Sequence, residues 1–210
     1  MSVFVDISTS LDGFVAAAGM GPEQPLGRGG EALHDWAFRT RLWHEMQGQD
    51  GGETGVDDEA LRAHRRAGAT VMGRHMFGGF GGPWDASWTG WWGDEPPYHH
   101  DVFVLTHHER DPLPMQGGTT FHFVTTGIED AVARARGSAG DRDVHVAGGG
   151  STVQQALAAG LVDDVTVHVV PLLLGDGVPL FGAIGREIRL DQAAVRHSDQ
   201  VTHVSYRVHR

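Results

Sequence analysis

The sequence of 210 residues contains no cysteine. Disulfide scaffolds, cysteine nucleophiles and thiolate metal ligands are therefore excluded as the basis of its chemistry. The sequence also lacks an apolar run of membrane-spanning length, and its first residues do not show the charged and then apolar pattern of a signal peptide. We expect a cytoplasmic protein that does not bind membranes.

Positive charge is scarce. Sixteen Lys and Arg residues face 27 Asp and Glu residues, which gives a formal net charge of −11 with histidine neutral. A nucleic-acid surface needs clustered cations, so we expect no nucleic-acid partner. An anionic ligand must instead be held locally, by backbone N–H groups and a few arginines.

The 14 histidines raise the possibility of a metal site. However, the sequence has no His-Glu-x-x-His motif and no comparable compact ligand set. In an extended chain, the neighbouring pairs His99–His100 and His107–His108 point alternately to opposite faces, which is poor geometry for joint coordination. We therefore expect no metal.

The apolar pattern predicts alternating strands and helices, followed by strands alone. Strands are expected at residues 3–8, 69–73, 101–107, 119–125, 143–148, 163–175, 187–198 and 203–210. Helices are expected at residues 31–46, 56–68, 127–140 and 151–160. This order predicts one α/β domain, residues 1–210, with a mixed, mostly parallel sheet, an antiparallel C-terminal edge and helices on both faces.

A long loop at about residues 78–100 is rich in glycine and holds four of the six tryptophans: Trp84, Trp88, Trp91 and Trp92. Long irregular loops in compact domains are usually binding loops or disordered segments, and the tryptophans favour order. Three roles remain open for these rings: stacking on a flat heterocycle, plugging the core, or forming a dimer contact.

Three strands end in residues suited to an anion, and carboxyl ends of parallel strands form the usual ligand-binding edge of such a sheet. The first ends at residues 73–75, the second at Thr106 and His107, and the third at three glycines, residues 148–150. A helix begins directly after these glycines, at Ser151 and Thr152. A glycine-opened helix start offers unpaired N–H groups to phosphate, and Arg74 adds a guanidinium.

Each feature also has a simpler interpretation. Three glycines before a helix often form only a tight strand-to-helix turn, and the sequence is not the G-x-G-x-x-G motif. A lone arginine after a strand is commonly solvated surface. The two features support each other because both are expected on one rim of the sheet.

Four segments together resemble a known superfamily: "SLDGFVA", "VMGRHMF", "VLTHH" and the long stretch that begins "AGGGSTVQQALAAG". They are similar to the dihydrofolate reductases, and within that superfamily to the reductase domain of the bifunctional riboflavin-biosynthesis deaminase-reductase and its stand-alone bacterial relatives. The resemblance implies a mixed eight-stranded sheet, NADPH as hydride donor, a small-molecule substrate and a homodimer. The closing strands could supply part of the dimer interface, or could be an ordinary solvated edge.

The same resemblance implies a cofactor role for thirteen positions. Residues 73–75 would line the adenosine-phosphate side, with Arg74 near the 2′-phosphate, and residues 148–152 would hold the pyrophosphate. Other positions would bound the adenine or flank the nicotinamide. The full set is Ser8, Val15, Gly73, Arg74, His75, Thr106, His107, Thr125, Gly148, Gly149, Gly150, Ser151 and Thr152.

Three residues are candidates for catalysis. Asp35 is the best carboxylate for gripping a substrate, or else a solvated helix acid. Asp12 matches the opening segment of the riboflavin reductases, or else serves only its turn. His168 shares a strand face that borders the substrate pocket by resemblance, where it could supply a proton; alternatively, it is a packing residue.

Two functions of different class follow. The first is an NADPH-dependent reductase that transfers hydride to a small pterin-, pyrimidine- or flavin-like heterocycle or to a carbonyl. The second is a non-catalytic nucleotide- or small-molecule-binding dimer on the same scaffold. Binding of NADPH without turnover would favour the second.

Overall fold

The computed structural model of the protein describes residues 1–78, 82–182 and 184–209. Residues 79–81, 183 and 210 lie outside the described residues, so the predictions for the glycine- and tryptophan-rich loop and for the last strand are assessed on the rest. No helix in the described ranges is both long and apolar enough to cross a membrane.

The main sheet has nine strands. In chain order they are β1 (Val3–Ser10), β3 (Ala67–Gly73), β4 (Asp101–Leu105), β5 (Leu113–Pro114), β6 (Thr120–Val124), β7 (Asp143–Gly148), β8 (Asp164–Val170), β10 (Leu190–His197) and β11 (Thr202–Val208). Two further strands, β2 (Phe14–Ala17) and β9 (Gly177–Pro179), form a small antiparallel sheet of their own.

The strand order across the main sheet is β10-β11-β8-β1-β7-β3-β4-β6-β5. The six strands from β8 to β6 are parallel, and β11, β10 and β5 pair antiparallel at the two edges. The predicted mixed sheet with an antiparallel C-terminal edge is confirmed. It has one strand more than the eight implied by resemblance, because the two-residue β5 adds to the opposite edge.

The helices are α1 (Asp35–Phe38), α2 (Arg41–Met46), α3 (Val56–Arg62), α4 (Arg74–Phe77), α5 (Ile128–Ala139) and α6 (Gly150–Ala158). The continuous helix predicted at residues 31–46 is wrong. A 3₁₀ turn at Gly30–His34 leads into α1, and Thr40 then leaves the helical conformation and caps α2, its side chain accepting from the Trp43 N–H at 3.2 Å. Threonine favours this capping role over a helix interior.

The two faces of the sheet differ in polarity because side chains alternate along each strand. On one face, Val3 and Val5 of β1 join the valines of β7 and β8 in an apolar core covered by α5 and α6. The other face carries Asp6 and Ser8 of β1 and His168 of β8, under the segment that holds α1. This second face is the polar one, and it borders the candidate site.

Candidate functional site

A cavity of about 620 Å³ lies at the carboxyl ends of the parallel strands. We call it the strand-end cavity. Its walls come from the ends of β1, β3, β4, β6 and β7, from the small sheet of β2 and β9, and from the start of α6. Crossover connections in a parallel sheet place loops and helix starts at this edge, so the topology creates the cavity at the position expected for a ligand.

The strand-end cavity brings together every position with a predicted cofactor role. All thirteen line it: Ser8, Val15, Gly73, Arg74, His75, Thr106, His107, Thr125, Gly148, Gly149, Gly150, Ser151 and Thr152. They come from six separate stretches of the chain, so their convergence is a property of the fold. That they hold a cofactor stays a prediction.

The three glycines at residues 148–150 differ in backbone conformation and in the space around them. Gly148 has φ of 133°, a backbone conformation that other residues rarely adopt, and the bond between Gly148 and Gly149 is cis. A Cβ on Gly150 would lie 2.6 Å from the Pro179 carbonyl oxygen. Gly149 differs from both, because it has an ordinary φ of −74° and a Cβ there would meet no heavy atom within 4 Å. The turn alone therefore does not explain glycine at position 149.

The start of α6 suits an anionic group. No side chain caps the helix, whose N-cap residue is Gly149. The Thr152 N–H donates to the Gly149 carbonyl at 3.0 Å. Gly73 approaches the same turn so closely that a Cβ there would lie 2.5 Å from the Thr152 hydroxyl oxygen. Uncapped first-turn N–H groups with open space in front of them form the kind of site that binds phosphate.

Arg74 also lines the cavity, at the first position of α4. Its guanidinium carbon lies 4.1 Å from the centre of the Trp84 ring, and the guanidinium donates to the Gly82 carbonyl at 2.6 Å. Burial lowers the pKa of Arg74 from an ordinary value so high that the group stays charged. The glycine- and tryptophan-rich loop thus holds a cation at the cavity wall.

The tryptophans of this loop serve two surfaces. Trp84, Trp88 and Trp92 pack against a core built around Met72 and Phe121, which agrees with the plug interpretation. Trp91 and Trp92 also line the strand-end cavity. Plugging and ligand contact are therefore compatible uses of the same loop.

None of the three predicted catalytic residues belongs to the described lining of the cavity. Asp12 is a turn residue whose carboxylate accepts from the N–H groups of Leu174 and Gly175, at 3.1 and 2.7 Å. The hydrogen bond from the Ser10 hydroxyl, together with these amides, outweighs the opposing effect of burial and lowers the pKa of Asp12. Asp35 begins α1 and is exposed.

His168 lies beneath the cavity, and its side chain is 2% exposed. Its Nε2 bonds the Asp6 carboxylate, and its Nδ1 lies 2.6 Å from Nδ1 of His203, so one of these two nitrogens must carry a hydrogen. His203 in turn bonds Asp57 at 3.0 Å. The proposed direct proton transfer from His168 to a ligand does not fit this geometry, because both ring nitrogens are engaged and the ring is covered.

Asp6 shows how this buried layer is balanced. Burial alone raises the pKa of Asp6, but the neighbouring His64 and His168 outweigh it and hold the pKa well below its usual range. The Trp36 ring centre lies 4.6 Å from that of His168, and its Nε1–H donates to the Ser8 hydroxyl at 3.0 Å.

Within residues 1–78, 82–182 and 184–209, no three His, Asp or Glu side chains are placed to share a metal ion.

Sequence reasoning missed several residues of the cavity wall. Met20, Pro25 and Leu26 belong to the loop after β2, and His34 ends the following 3₁₀ turn. That loop has no periodicity, so no local pattern places it over the sheet edge. The one available signal was the glycine and proline content of residues 16–30, which predicts a long loop.

The fold and its cavity define the chain as an α/β domain of the dihydrofolate-reductase-like type. The family model described as the RibD C-terminal domain matches residues 1–204. The chain therefore belongs to the RibD C-terminal domain family, and is homologous to the reductase part of bifunctional riboflavin-biosynthesis enzymes.

Solved structures agree on the fold. A putative riboflavin biosynthesis protein from Shewanella sp. PV-4 is 24% identical, with a TM-score of 0.64 and full coverage of both chains. A pyrimidine reductase-like protein from Corynebacterium diphtheriae is 16% identical, with a TM-score of 0.54, 100% of this chain and 92% of that chain covered. A Thermotoga maritima deaminase and 5-amino-6-(5-phosphoribosylamino)uracil reductase is 14% identical, with a TM-score of 0.54; the likeness covers 98% of this chain and 56% of that one.

One curated relative matches over a shorter length. The uncharacterized protein YwjB from Bacillus subtilis is 26% identical over 84 residues, which span 40% of this chain and 48% of the relative.

Proposed function

We propose that the protein is an NADPH-dependent reductase that transfers hydride to a small heterocyclic or carbonyl acceptor. One observation carries the proposal. In a chain of formal net charge −11, the described lining of the strand-end cavity includes no Asp or Glu, and the cavity extends from Arg74 to the uncapped start of α6. An acidic protein has thus kept carboxylates out of the one space where anionic phosphates are expected.

The chain's own residues fit the cofactor in three parts. The open space beside Gly149 and the amides that begin α6 would hold the pyrophosphate. Arg74 would contact the 2′-phosphate, which distinguishes NADPH from NADH. Thr106, His107 and Thr125 would bound the adenine, while Ser8 and Val15 would lie beside the nicotinamide.

NADPH, when bound, supplies the hydride. The protein has to orient the rings and exclude water at the β1 end of the cavity, where Val15 is 7% exposed. Ser8 is fixed there by the Trp36 bond, and Trp36 is itself fixed against the His168–His203 pair. In this proposal His168 acts by positioning Trp36, while the acceptor takes its proton from water or from a group at the cavity surface.

The acceptor class follows from the family and its relatives. Family membership supports a pyrimidine-reductase type of chemistry, and two of the structural neighbours are described as pyrimidine reductase-like or as a uracil-derivative reductase. Pterin- and flavin-like rings share the same flat, hydrogen-bonding character. Our proposal therefore covers these heterocycles and small conjugated carbonyls.

The alternative function is a non-catalytic nucleotide- or small-molecule-binding dimer. One observation favours it: Asp12, Asp35 and His168 all lie outside the described cavity lining. Turnover separates the two proposals. NADPH consumption with any member of a panel of pterins, quinones and ribosylaminopyrimidines supports the reductase, whereas NADPH binding with no turnover supports the alternative.

We also propose a cytoplasmic homodimer. The cysteine-free sequence suits a reducing compartment. The edge strand β10 is exposed along its whole length, including Leu190 and Val195 at 39% and 50%. An exposed edge strand offers unpaired N–H and C=O groups that can pair with a second chain. Sedimentation of the wild type and of Val195→Lys tests this, since the variant should shift toward monomer.

The Arg74→Ala variant tests the cofactor assignment. Loss of a charge-assisted contact should weaken NADPH binding by about 1.5–3 kcal/mol and leave NADH binding nearly unchanged. Arg74→Lys should fall between the two, because it keeps charge without the bidentate fork. Fluorescence titration with both nucleotides measures the effect. Equal losses for NADPH and NADH would contradict the assignment.

A further inference from the structure

The end of the strand-end cavity nearest β1 has a composition of its own. We call it the β1 compartment, and its described wall is formed by Ile7, Ser8, Met20, Pro25, Leu26 and His34. Four of these six are apolar, and Ser8 is buried at 5% exposure. The compartment lies at the opposite end of the cavity from Thr125, which follows β6, so it is the space left for an acceptor beside the nicotinamide.

This compartment contains no side chain of permanent charge among its described wall residues. The whole sequence has no lysine, so arginine is the only permanent cation available. Arg74 is the one arginine in the described lining of the cavity, and it is held at the end of β3 by Trp84 and the Gly82 carbonyl. A phosphate buried in the β1 compartment would therefore meet no arginine among the described wall residues, since Arg28, beside Gly19, is exposed outside that wall.

The polar residues of the compartment wall are Ser8 and His34. The Nδ1 atom of His34 is buried and has no hydrogen-bond partner among the described residues. Burial, and then the proximity of His168, lower the pKa of His34 to about 4, so the ring is neutral at physiological pH. A neutral imidazole can donate or accept one hydrogen bond, but it cannot neutralise an anion.

We propose that the acceptor is an uncharged, planar, unphosphorylated molecule, a conjugated carbonyl or heterocycle, with one polar group bonded to His34. Burying an unpaired phosphate is strongly unfavourable, whereas flat apolar surface fits the Met20 and Leu26 wall. This inference rests on the proposed function. It separates the protein from the Thermotoga relative, which is described as reducing a phosphoribosyl compound.

The proposed reduction needs no reagent other than NADPH and water. The polarised double bond of the acceptor takes one hydrogen and two electrons from the dihydronicotinamide. Its π electrons move to the oxygen or nitrogen, which takes one proton from water. The products are the dihydro compound and the oxidised cofactor.

Matched substrate pairs test the proposal on the wild-type protein. The pairs are riboflavin with its 5′-phosphate, and 5-amino-6-ribosylaminouracil with its 5′-phosphate; menadione adds an uncharged quinone. In each pair the unphosphorylated member should give a kcat/KM higher by about tenfold or more, because the phosphate is left unpaired. Equal or better reduction of the phosphorylated members would overturn the proposal. It would also be overturned if the wild type reduces a phosphorylated member but none of the uncharged compounds, whereas no reduction of any member would count against the proposed function itself.

Substitutions at two positions, Leu26 and His34, locate the effect in the β1 compartment. Leu26→Arg supplies the missing cation and should shift preference toward the phosphorylated member of each pair. His34→Leu should raise KM for the uncharged acceptor with the NADPH Kd unchanged, and His34→Asn should restore part of the loss. His44→Leu, on α2 outside the cavity lining, is the matched control. Unchanged KM in His34→Leu would remove His34 from the proposal, and failure of the wild type to bind NADPH would instead refute the proposed function.

Discussion

Glycine at position 149 is the residue whose role the structure separates most sharply from its neighbours. Gly73 and Gly150 are needed for packing, since a Cβ at either would lie within 2.6 Å of another atom. Gly149 has an ordinary backbone conformation and open space where a Cβ would stand. We attribute its small size to the proposed cofactor, whose phosphate would lie against the backbone there.

The Gly149→Val variant should therefore fold normally and lose NADPH binding. Its unfolding midpoint should stay close to that of the wild type, while affinity should fall by a hundredfold or more, roughly the loss of one or two charge-assisted phosphate contacts. Thermal unfolding and fluorescence titration measure the two effects. Gly137→Ala, at an exposed position of α5, is the control and should be stabilised by about 0.5–1 kcal/mol with unchanged binding. Normal affinity in Gly149→Val would show that the glycine serves only the turn.

At this scale, the sequence could predict that the cofactor candidates meet at one cavity, but not where the catalytic candidates lie. Residues such as Arg74 and Thr106 follow directly after apolar strands, so strand prediction alone places them at one edge. The burial of His168 depends on Asp6 and His203, which lie 162 and 35 residues away along the chain. No local pattern shows such a pairing, and the strand alternation that exposed one face of β8 could not show what covers it.

At the scale of elements, the glycine- and tryptophan-rich loop both packs on the core and lines the strand-end cavity. Its length and composition indicate an ordered loop, but its docking against β3, β4 and β6 is a tertiary property. Trp92 stacks on Phe121 with ring centres 5.9 Å apart and meets Tyr98 edge-on at 5.2 Å. Trp91 instead contacts Trp88 edge-on at 4.6 Å and faces the cavity.

Alanine substitutions at Trp91 and Trp92 should therefore differ in their effects on stability and on ligand binding. Trp92→Ala should destabilise the fold by up to about 3–5 kcal/mol, the range for large aromatic truncations in a core, and less where the ring is half-buried. Trp91→Ala should cost less stability and weaken ligand binding more. Urea unfolding and NADPH titration of both variants measure this. Equal stability losses would show that the loop docks through both rings alike.

The buried histidines connect stability of the whole molecule to pH. Burial, and then the neighbouring His64, lower the pKa of His145 to about 3, and burial lowers the pKa of His100 to about 4. These groups are neutral in the folded protein but take up protons in the unfolded chain below about pH 6.5. Protonation therefore favours unfolding, and each group contributes at most about 1.4 kcal/mol per pH unit.

The free energy of unfolding should thus be highest above pH 6.5 and fall as the pH drops toward 4. Below pH 4, the lowered pKa of Asp6 continues the loss, because the folded state resists protonation of that carboxylate. Urea unfolding at a series of pH values measures the slope. His145→Phe should reduce the slope, and His197→Gln, at an exposed position of β10, should not. A stability that is flat from pH 7 to 4 would mean that these histidines are not held neutral.

The distribution of charge over the whole molecule is the basis of the proposed function: the protein is acidic, but the described lining of its cavity holds one arginine and no Asp or Glu. Equilibrium titration of the purified wild type with NADPH and NADH, at fixed salt, tests this most directly. We predict saturable binding of one NADPH per chain, with NADH weaker by about tenfold or more because Arg74 loses its phosphate partner. Absence of NADPH binding, or equal affinity for the two nucleotides, would contradict the account.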